Sequence, residues 1–166
     1  MTFIQWNDSY KVGHKIVDFD HMTLVNITNE LFLRVDQGFS DEEIAQTISL
    51  LIEYVERHFE REEELFLNSK YPDAQKHLAM HADIKKTVKD IAQIYKAKPD
   101  AININEVLEF LKKWLLNHIM KAMLVTFNTL NKLYRARTAS VTTLPKIVAG
   151  TTAPPPSFAR ISVALL

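Results

Sequence analysis

The stretch SDEEIAQTISLLIEYVERHFEREEELF, residues 40–66, decides how the rest of the chain is read. Ile44, Ile48, Leu51, Val55, Phe59 and Phe66 recur at helical spacing, and Ser40 followed by Glu43 has the pattern of a capping box that opens a helix. His58 and Glu62 stand four apart and project from the apolar face of that helix. A carboxylate and an imidazole aimed at a core are expensive to bury without partners, so the partners should come from other helices.

Three more segments have the same periodicity. One starts near Asp18, a plausible N-cap, and runs through Leu24, Ile27, Leu31 and Val35 to Gly38, carrying His21 on its apolar face. After the turn NSKYPD, another runs from about Asp73 to Ala97 with His77 and His81 four apart, and KPD ends it. Asn103 with Glu106 opens the last, through Val107, Phe110, Leu111, Trp114 and Leu115 to His118. Long amphipathic helices with short connections predict an all-α, up-down-up-down four-helix bundle over residues 1–134, with an irregular N-terminal arm at 1–17. Residues 135–166 contain four prolines and no periodicity, and are expected to be an irregular, disordered tail.

With 166 residues and 47% hydrophobic content, the chain is suited to one core. It has no cysteine, so a metal would be held by nitrogen and oxygen alone. No secretory leader pattern and no membrane-spanning apolar run is found, which predicts a soluble, cytoplasmic protein without membrane partners. All 20 acidic residues lie at or before Glu109 with 12 of the 20 basic ones, leaving residues 110–166 with eight scattered positive charges. That scatter lacks the clustered stripe of a nucleic-acid surface, so no nucleic-acid partner is expected.

A lone histidine pair on a helix is more often satisfied structurally than used as a ligand. Here five of the six histidines, His21, His58, His77, His81 and His118, fall on inward faces of four successive helices together with Glu62. That convergence favours a nitrogen-and-oxygen site for two metal ions. His14, in the arm, is read as a non-ligand.

The segments WNDSYKVGH, IVDFDHMTL, YVERHFEREE, YPDAQKHLAMH and FLKKWLLNHI, spread over about residues 6–122, resemble the bacterial hemerythrins. The resemblance implies two non-haem iron ions, one held by His77, His81 and His118, the other by His21 and His58, with Glu62 bridging them. It also implies reversible binding of dioxygen at the iron with the open position, for transport, storage or sensing and not as an enzyme. Phe59, Trp114, Leu115 and Ile119 match the family's pocket-lining positions and would pack a core in any case. The alternatives are a di-iron oxidase or peroxidase-type enzyme, whose sites are usually richer in carboxylates, and a damaged helical domain holding one metal or none.

Two positions depart from the family. Asp20 stands where Gln usually precedes the first-helix ligand, and little consequence is expected. Met123 stands where the family has its second bridging carboxylate, an aspartate five residues after His118. Five residues of α-helix turn through about 140° beyond one full circle, so periodicity alone would not bring position 123 to the face of His118. A thioether cannot replace a carboxylate between two hard iron ions, so the ion at His21 and His58 should be weakened and oxygen binding impaired. Read one base earlier, with a G ending the Ala122 codon, MLVTFNTLNK can decode as DAGYIQYLEQ, which is similar to the family's D-x-x-Y-x-x-Y-L ending. Our hypothesis is that residues from about 123 onward come from a shifted frame, in the gene or in its sequencing. The coding DNA is expected to carry third bases that permit DAGYIQYLEQ; third bases that forbid it would rule the shift out.

Overall fold

The computed structural model describes residues 2–69 and 71–142, with side chains through Arg135. Four helices form an up-down-up-down bundle, with no strand among the described residues. They are α1 (Lys15–Asp36), α2 (Asp41–Ser69), α3 (Ala74–Ala97) and a fourth that starts as α4 (Ile104–Asn117), passes through a π-helical turn (His118–Met123) and resumes as α5 (Leu124–Thr142). α2 packs against α1 and α3, and α4 closes on α1.

The helix ends follow from local chemistry. Gly38 adopts φ +70°, and the Gly38 and Phe39 amides donate to the carbonyls of Val35 and Arg34, closing α1 in a Schellman motif. Ser40 and Glu43 make the expected reciprocal cap: Glu43 Oε2 accepts from the Ser40 amide at 3.0 Å and the Glu43 amide donates to Ser40 Oγ. Asn103 Oδ1 accepts from the Asn105 amide at the start of α4.

The start of α1 differs from expectation. The helix begins at Lys15, with His14 as its N-cap, because the Asp18 carboxylate is engaged instead by the amides of Val12 and Gly13 at 2.7 and 3.2 Å. The arm is tied down rather than loose: Asn29 exchanges both hydrogen bonds with the Ile4 backbone, and Phe3 stacks on Phe32. At the other end, α5 runs to Thr142, eight residues into the segment expected to be irregular from 135; the rest of the expected tail, residues 143–166, lies outside the described residues.

The core falls into two parts. The larger contains Leu24, Val55, Phe59, Ile84, Leu115 and Ile119; the smaller contains Val17, Phe66, Ala74, Met123 and Phe127. On the first three helices an inward site residue separates the two groups along the chain: His21 between Val17 and Leu24, Glu62 between Phe59 and Phe66, His77 and His81 between Ala74 and Ile84. A buried polar layer therefore divides the apolar interior.

The π turn sets the register of the last helix. The Leu124 amide donates to the Ile119 carbonyl, five residues back, and this wider turn brings residues five apart near one face. Met123 is consequently fully buried with His118 instead of rotating away. Inserting an alanine after exposed Lys121 adds one residue more than the π turn absorbs and should rotate everything after it by about 100°, withdrawing Met123, Thr126 and Phe127 from the core. Denaturant unfolding should show a loss of roughly 3 kcal/mol or more, the scale of a large core deletion, whereas Lys121→Ala should change stability by no more than about 0.5 kcal/mol.

Candidate metal centre

Glu62 is fully buried in the C-terminal third of α2, and four imidazoles converge on its two oxygens. His21 Nε2 and His58 Nε2 lie 3.3 and 3.1 Å from Oε1; His81 Nε2 and His118 Nε2 lie 3.3 and 3.5 Å from Oε2. His77 presents its Nε2 beside the second pair. Ligand atoms of His21, His58, Glu62 and His118, and again of Glu62, His77, His81 and His118, all fall within 4.8 Å of one another. All six ligand candidates read from the sequence are thus brought together, and His14 is left outside both groups among the described residues.

These inward atoms have no hydrogen-bond partner. Both Glu62 oxygens and the Nε2 atoms of all five histidines are buried and unsatisfied. Leaving so many polar atoms unpaired in a core would cost several kcal/mol. A pair of cations on either side of the carboxylate would satisfy them, and the donor set, five imidazoles and one carboxylate, suits a borderline or hard first-row metal. The residues fit the group.

The outward nitrogens are held by a second layer. His58 Nδ1 is 3.4 Å from Asp20 Oδ2, His81 Nδ1 is 3.1 Å from Glu63 Oε1, and His77 Nδ1 is 3.4 Å from Thr126 Oγ1. Asp20 is clamped in turn by Arg61 through two bonds of 2.7 and 2.8 Å and by the Tyr54 hydroxyl at 2.9 Å. The expectation that Asp20 matters little is therefore corrected: it is a buried carboxylate that joins α1 to α2 through a ligand candidate. Glu63 is bonded by Lys85, and Thr126 by its own helix at Ala122 and by Tyr71. Sequence reasoning missed Asp20, Glu63, Arg61 and Thr126 because their partners are 18 to 49 residues away; no periodicity encodes such pairs.

Phe59 stacks on His81 with ring centroids 3.7 Å apart, and Trp114 stacks on His118 at 5.3 Å. Leu115 and Ile119 are buried alongside, so the four expected pocket residues form an apolar wall against the α3 and α4 ligands. A groove of about 380 Å³ lined by Tyr71, Met80, Trp114, Lys121 and Val125 also reaches His77 and His118.

Protonation follows from burial and neighbouring charge. Burial works against ionising Glu62, but the positive charge of His58, aided by the facing imidazoles of His118 and His21, overrides it and keeps the carboxyl well below its ordinary range. Burial also opposes a charged His58, yet Glu62 and Asp20 on either side hold it up at about 9. In the metal-free protein His58 thus acts as the cation between two carboxylates, and a metal must displace its proton. Burial pushes His77 down to about 4, with the nearby His81 adding to it, and pushes His118 down to about 3; His21 is lowered for the same reason. These three keep free lone pairs at neutral pH. For Asp20, burial is outweighed by hydrogen bonds from His58, Arg61 and Tyr54, which lower it to about 2.

Against known proteins, the model of the hemerythrin HHE cation-binding domain matches residues 12–128, and the chain belongs to that family. A bacteriohemerythrin of Methylococcus capsulatus is 30% identical over 122 residues, 73% of this chain and 92% of that protein. A myohemerythrin of Theromyzon tessulatum is 28% identical over 115 residues, 69% of this chain and 83% of that protein. A crystal structure of wild-type hemerythrin superposes with a TM-score of 0.71 at 26% identity, covering 77% of this chain and 98% of that one.

The depressed histidines fix a pH dependence. Unfolded, His77 and His118 titrate near 6.5; folded, they remain neutral until about pH 4 and 3. The unfolded chain binds more protons in between, so the stability these groups contribute is complete above about 6.5 and is lost as the pH falls toward 4. His58 acts oppositely, contributing below about 6.5 and losing its contribution as the pH rises through 9. Chelator-treated protein should therefore melt at progressively lower temperature from pH 6.5 to 4, as followed by circular dichroism; a flat profile across that window would contradict the buried, neutral assignment of His77 and His118.

Proposed function

We propose that this chain is a non-haem di-iron protein that binds dioxygen reversibly, for transport, storage or sensing, without turning over a substrate. The observation that carries the reading is the division of imidazoles between the two oxygens of one buried carboxylate: His21 and His58 at Oε1, His81 and His118 at Oε2, with His77 beside the latter. In this reading His77, His81 and His118 hold one ion, His21 and His58 hold the other, and Glu62 bridges. Iron, when bound, would supply the electrons and the open coordination position that dioxygen requires.

Apolar side chains shield the inner side of the centre. Phe59, Leu115 and Ile119 exclude water from the inner side, and Trp114 covers His118. An apolar wall keeps water and protons away from the centre, which a reversible reading requires. The ionised Glu62 supplies negative charge, and the proton on His58 would leave as a metal binds.

The two halves are unequal. Met123 is turned into the interior and packs with Val17 and Phe66, offering a soft, neutral thioether where the relatives' pattern would supply an aspartate. The His21/His58 half keeps two imidazoles and one shared oxygen, and the other half keeps three imidazoles and the same carboxylate.

Iron analysis and the optical spectrum of reduced protein exposed to dioxygen test this. The protein should bind fewer than two irons per chain and oxygenate weakly. Met123→Asp should raise the content to two and give a stable, reversible spectral change, while His77→Ala should remove the more tightly held ion. Full loading in the unaltered protein would show that Met123 is harmless; no iron in either protein would remove the di-iron reading.

A further inference from the structure

Asp20 is the least expected member of the polar layer. It is 2% exposed, it comes from α1, and all its partners come from α2. Arg61 fills both of its oxygens, Tyr54 adds a third bond at Oδ1, and Oδ2 faces His58 Nδ1. Arg61 itself is partly open to solvent, with 39% of its side chain exposed.

This arrangement has a directional consequence. An imidazole can hold a metal through Nε2 only if that atom carries a bare lone pair, which places the ring proton on Nδ1. A carboxylate at Nδ1 selects that tautomer, fixes the ring plane and makes Nε2 a stronger donor. His58 Nε2 is buried beside Glu62 while Nδ1 faces Asp20, so a metal that displaces the Nε2 proton leaves the ring in this sense. His81 is held likewise on the other half of the site, with Glu63 at its Nδ1 and Lys85 on Glu63.

We propose that Asp20 is a positioning residue for the His21/His58 half of the centre, orienting His58 as a metal ligand, and that Arg61 sets how much of the Asp20 negative charge reaches that imidazole. The proposal rests on the metal-centre reading above. It gives the half that lacks a second bridging carboxylate a negative charge placed one residue further out. Asp20 and Glu63 then form a pair of outer carboxylates, one for each half, each held by a cation of different strength: a bidentate guanidinium on Asp20 and a single ammonium contact on Glu63.

The test uses the full chain and Co(II) as the probe, with uptake followed by visible absorption, and then the midpoint potential of the iron-loaded protein. Asp20→Asn keeps the shape and removes the charge. It should lower affinity for the more weakly held Co(II) by about 10–100-fold, leave the tighter one unchanged, and raise the potential. Glu63→Gln should act on the tighter one instead. Arg61→Gln frees the Asp20 charge and should lower the potential, a shift opposite in sign to that of Asp20→Asn and one that a purely structural role would not produce. Folded Asp20→Asn protein that takes up Co(II) as the unaltered chain does would overturn the proposal, as would potentials moving the same way in both variants. Should Asp20→Asn not fold, Arg61→Gln decides alone: a fall in potential supports the proposal and an unchanged or higher value overturns it. Unaltered protein that takes up no Co(II) would overturn the metal-centre reading itself, and this proposal with it.

Discussion

The interior of this bundle is organised around one ionised carboxylate, Glu62, held away from solvent. An isolated charge in such a place is among the most unfavourable features a core can contain. Four helices therefore contribute imidazoles whose open nitrogens face it, and a second layer of Asp20, Glu63 and Thr126 holds three of those rings from outside. The apolar core is split in two because this layer crosses it. A cation on each side of Glu62 would satisfy the open nitrogens, and metal binding would then be coupled to folding.

The π turn at His118–Met123 is the second constraint. An unbroken α-helix could present His118 or residue 123 to the centre, but not both. The wider turn places both in the interior, at the cost of a rarer backbone arrangement of a kind often found at functional sites. With an aspartate at 123 that geometry would serve a bridge. With Met123 it serves packing, in the smaller apolar group with Val17 and Phe66.

Much of this was legible in the sequence, for physical reasons that can be named. The bundle follows from apolar spacing and from caps at Gly38, Ser40 and Asn103, all local signals. The convergence of His21, His58, Glu62, His77, His81 and His118 follows from the same spacing, because residues on the apolar stripe of a bundle helix have a single destination. The π turn was not legible, since straight-helix geometry gives the wrong face for position 123. The start of α1 was misplaced because Asp18, a good N-cap by type, is used by the arm's amides instead. The role of Asp20 depends on Arg61, 41 residues away, and pairing at that distance leaves no mark on periodicity. The likeness to hemerythrins supplied what spacing could not, including the significance of residue 123.

The central claim is that Glu62 joins two unequal metal sites. Anomalous diffraction from crystals of the iron-loaded protein, collected at the iron edge, tests it most directly. The account predicts a strong peak among His77, His81, His118 and Glu62 Oε2, and a weaker one, of lower occupancy, at His21, His58 and Glu62 Oε1. Two peaks of equal height would contradict the inequality assigned to Met123, and density away from Glu62, or none within the polar layer, would contradict the metal centre.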